Sequence, residues 1–202
     1  MSRGMKPDMK LGVVLLAAGR SSRFGENKLL AAFDGRPMVC RAMDAAKAVH
    51  ACRTTVVTGN RDIARLAQEY GYSVLENHEP ELGQSHSICL GVDAMQDMDA
   101  LLLMVCDQPG LSGASLAHLL EAFSQSDKGI ACLCDQSHMG NPAVFAQEYY
   151  PALLALCGDR GAKGILRAHE DDLLVVPALD ENELSDADTP EALEAMRAGI
   201  HN

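Results

Sequence analysis

The stretch KLGVVLLAAGRSSRFGENKLL, residues 10–30, joins a continuous apolar run to a loop rich in glycine and basic residues. An apolar run such as 10–18 is typical of a strand that is covered on both faces of a parallel sheet. Six further strands are predicted, at 53–59, 72–77, 100–107, 129–135, 141–146 and 172–178. Helical patterns separate these runs, and this alternation predicts an α/β fold with helices on both sides of the sheet.

The helical segments have recognisable starts and ends. Pro37 suits a first helical position, and Gly71 suits a stop. Near the C-terminus, Thr189 is expected to cap a helix whose first residue is Pro190. The other predicted helices cover 37–49, 61–70, 85–96, 113–124, 147–156 and 161–169. A chain of 202 residues with this pattern is expected to form one domain over 1–202.

Composition narrows the class of protein. The net charge of −11 disfavours nucleic acid as a partner, because such proteins usually carry a basic face. No apolar run is long enough to cross a membrane, and the polar start MSRGMKPDMK does not resemble a secretory signal. We therefore expect a cytoplasmic protein that binds neither nucleic acid nor membrane.

The cysteines agree with a reducing compartment. Most of the seven lie within apolar runs, and no CxxC pair is present. Buried free thiols are therefore expected, rather than a disulfide framework or a zinc site. The positions are Cys40, Cys52, Cys89, Cys106, Cys132, Cys134 and Cys157.

The loop after the first strand has the chemistry of an anion site. Gly19 and Gly25 allow a tight turn and a close approach of the main chain to a ligand. Arg20 and Arg23 add forked donors that suit phosphate oxygens, and Lys28 adds a mobile charge. The pattern predicts a polyphosphate site at the carboxyl end of a strand. The alternative is an exposed loop whose basic residues pair with acidic residues of the protein.

Acidic residues follow the fourth predicted strand and precede the last helix. Asp107, in CDQP, would stand at a strand end, where a carboxylate facing a polyphosphate needs a cation between them. Mg²⁺ suits that position because it binds one or two carboxylates together with phosphate oxygens. Asp186 and Asp188 lie in SDADTPEAL. The alternatives are a turn before Pro109 for the first and a simple helix cap for the other two.

The first loop resembles the LAAGxSxRxGxxK motif of the nucleotidyltransferases related to molybdenum cofactor guanylyl- and cytidylyltransferases. Every fixed position is matched, by Leu16, Ala17, Ala18, Gly19, Ser21, Arg23, Gly25 and Lys28. The resemblance implies that residues 16–21, which include Arg20, bind the nucleotide together with Gly25. It implies that Arg23 and Lys28 bind its phosphates and act in catalysis with Asp107. It also implies a Rossmann-like three-layer fold with a mixed, mostly parallel sheet of about seven strands.

Two further segments extend the resemblance to the nucleotide and metal sites. SDADTPEAL is similar to the family's DIDTPEDL, which implies that Asp188 completes a Mg²⁺ site with Asp107 and that Asp186 supports it. The last acidic position of that pattern is Ala192 in this chain. The segment ELGQSHSICLGV is similar to GxSxSLxxG and implies nucleotide contacts from Gly83, Ser85 and Ser87. Capping of the following helix by Ser85 is the alternative.

Two segments resemble the family's second-substrate motifs. GNPAVF, residues 140–145, is similar to GNPVLF and implies that Asn141 and Pro142 face the second substrate. GDRGAKGIL is similar to GDxGAR and implies the same for Asp159 and Lys163. Lysine stands where arginine is usual, so the charge is kept but the forked donor is lost. Helix capping is the alternative for Asp159.

The resemblance implies transfer of CMP from CTP to the phosphate of molybdopterin that carries molybdenum. LAAG in place of LAGG, together with DQP, favours CTP over GTP. The product would pass to a molybdoenzyme of the xanthine dehydrogenase type. Two alternatives remain: transfer to another acceptor, such as a sugar or alditol phosphate, and a non-catalytic molybdopterin carrier. An NAD-dependent oxidoreductase is disfavoured because the chain lacks GxGxxG after the first strand.

Overall fold

The computed structural model describes residues 9–19, 27–136 and 138–200, which include a seven-stranded sheet. Its strands, with the two of a separate hairpin, are β1 (Leu11–Leu16), β2 (Ala32–Phe33), β3 (Arg36–Pro37), β4 (Arg53–Thr58), β5 (Ser73–Glu76), β6 (Ala100–Val105), β7 (Ile130–Cys134), β8 (Met139–Ala146) and β9 (Leu173–Pro177). All seven strands predicted from the apolar runs are present. The hairpin β2–β3 has two residues in each strand, which is too short for an alternating pattern to reveal.

The sheet is mixed, with the strand order β5-β4-β1-β6-β8-β7-β9. Strand β8 runs antiparallel to both of its neighbours, and the other pairs are parallel. This confirms the predicted α/β fold with a mixed, mostly parallel sheet of seven strands. Strands β1 and β6 lie side by side at the centre, so the loops after them meet at one edge of the sheet.

Helices cover both faces of this sheet. They are α1 (Val39–Lys47), α2 (Arg61–Glu69), α3 (Gln84–Asp93), α4 (Gly113–Gln125), α5 (Tyr150–Leu154), α6 (Lys163–Ala168) and α7 (Pro190–Ile200). Buried residues of α1, α2, α4 and α7 belong to one hydrophobic cluster, and those of α3, α5 and α6 belong to the other. The fold therefore has three layers.

The central strands supply side chains to both clusters in turn. In β1, Val13 and Leu15 pack in the first cluster, whereas Val14 packs in the second. In β6, Leu102 and Leu101 divide in the same way. This is why the runs are continuously apolar: each side chain finds a covered face whichever way it points.

Some sequence expectations are corrected. Helix α1 begins at Val39 rather than at Pro37, because Pro37 pairs with Ala32 in the hairpin. The segment 147–156 is a 3₁₀ turn over 147–149 followed by the five-residue helix α5. Cys52 and Cys157 are exposed, contrary to the expectation of burial, because both lie in connections between elements. Among the described residues, no helix is long and apolar enough to span a bilayer.

Candidate active site

The ammonium of Lys28 lies between two carboxylates that are distant in the chain. Its Nζ donates to Asp107 Oδ2 at 2.8 Å and to Asp188 Oδ1 at 2.9 Å. A 3₁₀ turn over Lys28–Leu30 holds the lysine, and Asn27 caps that turn through its side chain. The structure therefore brings together three of the residues singled out in the sequence.

The three groups differ in exposure. The side chains of Lys28 and Asp107 are 15% and 25% exposed, whereas that of Asp188 is 59% exposed. Burial by itself would lower the pKa of Lys28, but the charge and hydrogen bond of Asp107, joined by Asp188, raise it above its usual value. Lys28 therefore stays a cation at neutral pH.

A main-chain hydrogen bond holds the segment that contains Asp188 next to Asp107. The Ala187 N–H donates to the Asp107 carbonyl at 2.8 Å, so the residues on either side of Ala187 lie beside the end of β6. Thr189 Oγ1 accepts from the Ala192 N–H and caps α7, which confirms the predicted cap and the helix start at Pro190. The same capped segment presents Asp188 to Lys28, and the role of Asp188 as a metal ligand stays a prediction.

The carboxylates fit a divalent cation that shares its coordination with a substrate. Asp107 Oδ1 is buried and has no hydrogen-bond partner among the residues that the structure describes. Within the same residues, no group of three or more His, Cys, Asp or Glu side chains could enclose a metal. One or two carboxylates plus phosphate oxygens and waters is the usual environment of Mg²⁺. The donor set therefore suits Mg²⁺ bound together with a polyphosphate.

Asp186 is held by a residue that sequence reasoning did not single out. Gln108 Nε2 donates to Asp186 Oδ1 and to the Leu184 carbonyl, both at 3.0 Å. Burial raises the pKa of Asp186, and the nearby charges of Asp107 and Asp188 raise it further. The only signal in the sequence is the place of Gln108 between the Asp and Pro of the motif.

A cavity of about 470 Å³ opens beside Lys28. It is lined by the loop after β1 and by the segment that leads into α3. Sequence-predicted nucleotide residues on its wall are Leu16, Ala18, Gly19, Gly83 and Ser87. Ser87 is buried, and its Oγ accepts from Asn77 Nδ2 at 3.0 Å. Most of the described residues predicted to bind nucleotide therefore lie around one space.

Two of the predicted nucleotide residues are occupied elsewhere. The Ala17 N–H donates to the Val57 carbonyl, and the Ala17 carbonyl accepts from Thr58 Oγ1, so its main chain extends the sheet. Ser85 Oγ donates to the Gly158 carbonyl at 2.6 Å, whereas Gly83 takes the cap position of α3. Neither Ala17 nor Ser85 lines the cavity. The alternative role of Ser85, capping of α3, is wrong, because no side chain caps that helix.

A second cavity, of about 320 Å³, lies on the other side of Asp107. Asn141, Lys163 and Asp186 line it. The Asn141 amide fits with Oδ1 accepting from the Val105 N–H and Nδ2 donating to the Leu103 carbonyl, each at 3.2 Å. It thus completes the pairing of β6 where β8 turns away.

The two other predicted second-substrate residues lie elsewhere. Pro142 is buried within β8 and lines neither cavity. Asp159 lines the larger cavity, because the turn after Gly158 crosses in front of Gly83. At Gly83, φ is +83°, and a Cβ would stand 2.6 Å from the Gly158 carbonyl oxygen, so this crossing requires glycine.

Four residues line both cavities: Leu16, Gln84, Val105 and Asp107. Of these, only Asp107 was predicted to be both a ligand and a catalytic residue. Gln84 begins α3 and was not singled out, although it stands inside the ELGQSHS motif. Its side-chain oxygen lies where a Cβ at Gly161 would come within 2.5 Å. The predicted roles of Arg20, Ser21, Arg23 and Gly25 fall outside the described residues.

Solved structures define the class of fold. A nucleotidyl transferase from Methanothermobacter superimposes with a TM-score of 0.81 at 22% identity, over 96% of this chain and 98% of that one. A Mycobacterium tuberculosis protein crystallised in complex with manganese gives 0.71 at 19% identity, over 92% and 99%. These likenesses show a nucleotidyltransferase fold.

The family model described as the MobA-like NTP transferase domain matches residues 13–173, and the chain belongs to that family. It is 28% identical to purine catabolism protein PucB of Bacillus subtilis, over 93% of this chain and 96% of that one. It is 29% identical to a probable molybdenum cofactor guanylyltransferase of Pyrococcus horikoshii, over 62% of each. It is 28% identical to nicotine blue oxidoreductase of Paenarthrobacter nicotinovorans, over 89% and 93%.

Proposed function

We propose that this nucleotidyltransferase moves CMP from CTP to the phosphate of molybdopterin that carries molybdenum, with release of pyrophosphate. One observation carries the proposal: Asp107 borders both cavities and shares the Lys28 ammonium with Asp188. A group transfer between two bound substrates needs such a point, where donor and acceptor meet beside one centre of charge.

The larger cavity is proposed to hold CTP. Its wall includes Gly19 and Lys28, which suit phosphates, together with Gly83 and Ser87 at the start of α3. Arg23 is proposed to add a second cation to the phosphates, as its motif position implies. CTP rather than GTP is favoured by LAAG at 16–19 and by DQP at 107–109.

The smaller cavity is proposed to hold the acceptor. Lys163 supplies a cation for the molybdopterin phosphate, and Asn141 lines the same wall. An acceptor phosphate is already ionised at neutral pH, so no general base is needed. The demand on the protein is to bring two anions together in line, and cations on both sides of Asp107 meet that demand.

Asp107 and Asp188 are proposed to hold Mg²⁺. When bound, Mg²⁺ would neutralise phosphate charge and stabilise the leaving pyrophosphate. Lys28 lies at the same two carboxylates in this structure, and it also lines the larger cavity. We propose that Lys28 contacts the triphosphate during the reaction. The product would then pass to a molybdoenzyme of the xanthine dehydrogenase type.

The test is a panel of CTP, GTP, ATP and UTP, each with Mg²⁺ and molybdopterin carrying molybdenum, scored for pyrophosphate and for the dinucleotide product. Pyrophosphate and cytosine dinucleotide from CTP, at least tenfold faster than from GTP, is the expected result. A faster reaction with GTP would overturn the proposal that CTP is the nucleotide, but not the proposal that molybdopterin is the acceptor.

The same assay separates the alternatives. Sugar and alditol phosphates in place of molybdopterin would reveal another acceptor by rapid release of pyrophosphate. Binding of molybdopterin without turnover of any nucleotide would indicate a carrier.

A further inference from the structure

Gln108 carries a buried side-chain amide beside the proposed active site. The residue is 6% exposed, and it follows Asp107 directly in the chain. The side-chain nitrogen makes two hydrogen bonds, to the Leu184 carbonyl and to Asp186 Oδ1, both at 3.0 Å. Both acceptors belong to the segment 184–188 that carries Asp188.

Other contacts also hold that segment, since Leu184 and Ala187 are fully buried in the first hydrophobic cluster. The main-chain bond from the Ala187 N–H to the Asp107 carbonyl is one, and the Lys28 contact to Asp188 is another. Asp188 itself is 59% exposed, and Gln108 ties the residues just before it to the end of β6 through two hydrogen bonds. The distance between the Asp188 and Asp107 carboxylates therefore depends in part on Gln108.

We propose that Gln108 is a positioning residue, which sets the affinity of the site for its divalent cation by holding the segment 184–188 so that Asp188 faces Asp107. The proposal rests on the cation site of the proposed function. Groups that orient metal ligands in this way commonly change metal affinity by about 10- to 100-fold.

The amide is the side chain that this position requires. A primary amide nitrogen has two hydrogens, so it donates to a carbonyl and a carboxylate at once without carrying charge. Glutamate has no hydrogen to donate and would add a carboxylate beside Asp186. Lysine would add a cation that competes with the metal for the same acids. The Gln108 oxygen, Oε1, is buried and has no hydrogen-bond partner among the described residues.

The experiment measures Mn²⁺ binding by electron paramagnetic resonance, in the presence of a non-hydrolysable CTP analogue. Gln108→Met is close in size and donates nothing. We expect it to weaken Mn²⁺ binding by about 10- to 30-fold, judged from groups that orient metal ligands. The KM for Mg²⁺ should rise by the same factor, while kcat at saturating Mg²⁺ stays within about threefold. A lower kcat with an unchanged KM for Mg²⁺ would overturn the proposal.

Matched variants control for general damage. Gln96→Met removes a similar amide–carboxylate contact, 2.8 Å to Asp93, far from the site, and should leave Mn²⁺ binding unchanged. Gln108→Asn keeps the amide but is shorter, and should show a milder loss of the same kind. Gln108→Asn also replaces Gln108→Met in the test if the methionine variant does not fold.

A further variant pair tests whether Gln108 acts through Asp188. In an Asp188→Asn background, Gln108→Met should add little to the loss of Mn²⁺ affinity. A full additive loss would overturn the route through Asp188.

These readouts are separate from the identity of the substrates. If the wild type binds Mn²⁺ and Gln108→Met binds it equally well, the positioning role is wrong and the proposed function stands. If the panel above selects another nucleotide, the proposed function is wrong in its nucleotide. Mn²⁺ binding is then measured with the analogue of that nucleotide, and the result still decides the role of Gln108.

Discussion

The two cavities differ in how strongly their walls are fixed by the fold. The larger one is built on main chain at the end of β1 and at the start of α3, with Lys28 on a short turn. The smaller one is lined by Asn141 of β8, by the start of α6 and by the segment of Asp186. Most of the described residues that the motifs predict to bind nucleotide lie in the first wall. Of the four predicted second-substrate residues, only Asn141 and Lys163 lie in the second.

Under the proposed function, this difference between the two walls reflects the different chemistry of the nucleotide and the acceptor. A nucleotide presents the same triphosphate whatever the acceptor, so we propose that one motif of glycines and cations is enough to bind it. The proposed acceptor residues come from several segments, so no single motif contains them. Asp107 belongs to both walls, and changes there should affect both substrates, whereas changes on either side should affect only one.

The largest effect is expected at the shared carboxylate. Asp107→Asn should lower kcat by about 10²- to 10³-fold, the range seen when one electrostatic contact to a reacting group is lost. Asp188→Asn should cost less, because Asp188 is 59% exposed and Asp107 only 25%. Steady-state rates of pyrophosphate release at saturating Mg²⁺ and substrates make the comparison. Equal losses, or a larger loss at Asp188, would contradict the view that the more buried carboxylate contributes more to the reaction.

Lys28→Met should separate catalysis from cation binding. Turnover should fall by about 10²-fold, because the phosphates lose a charged donor. Mn²⁺ binding to the nucleotide-free protein should instead become tighter, because the ammonium no longer holds Asp107 and Asp188. Calorimetric titration without nucleotide checks the second result. Weaker Mn²⁺ binding in the variant would show that the lysine supports the cation site rather than competing for it.

A pair of smaller changes tests the assignment of each cavity. Ser87→Ala should raise the KM for CTP by about tenfold with little change for the acceptor, and Lys163→Met should do the reverse. The reason is that each residue lines only one space. Initial-rate measurements with each substrate varied in turn decide it. If Ser87→Ala acts on the acceptor instead, the two cavities have been assigned the wrong way round.

The smallest effect is expected from two glycines of one segment. A Cβ at Gly161 would stand 2.5 Å from Gln84 Oε1, whereas one at Gly164 would meet no heavy atom within 4 Å. Gly161→Ala should displace the Gln84 amide from the junction of the cavities and raise both KM values severalfold. Gly164→Ala is the matched control and should leave both unchanged. Equal KM values in the two variants would show that the Gln84 side chain has no role in binding at the junction of the cavities.

Much of this fold follows from local pattern. Strands such as β1 and β6 are covered on both faces, so every side chain is apolar and the run is visible in the sequence. The hairpin that contains Pro37 was missed because two-residue strands leave no period, and proline also suits a helix start. Cys52 and Cys157 were misjudged because exposure in a connection is decided by distant packing.

The candidate site was predictable where chemistry and position coincide. Lys28, Asp107 and Asp188 stand in motifs, and the structure joins them within hydrogen-bond distance. Gln84 and Gln108 were not predicted, because an amide carries no charge pattern and its role appears only when its partners are placed. Ser85 was predicted to contact a ligand but donates to the Gly158 carbonyl, a partner 73 positions away in the chain.

The most direct test is a crystal structure with Mn²⁺ and a non-hydrolysable CTP analogue, with the cation located by anomalous scattering. We predict one manganese peak between the Asp107 and Asp188 carboxylates, and a triphosphate beside Lys28 in the larger cavity. A cation bound away from both aspartates, or a triphosphate lying in the smaller cavity beside Lys163, would contradict the proposed mechanism.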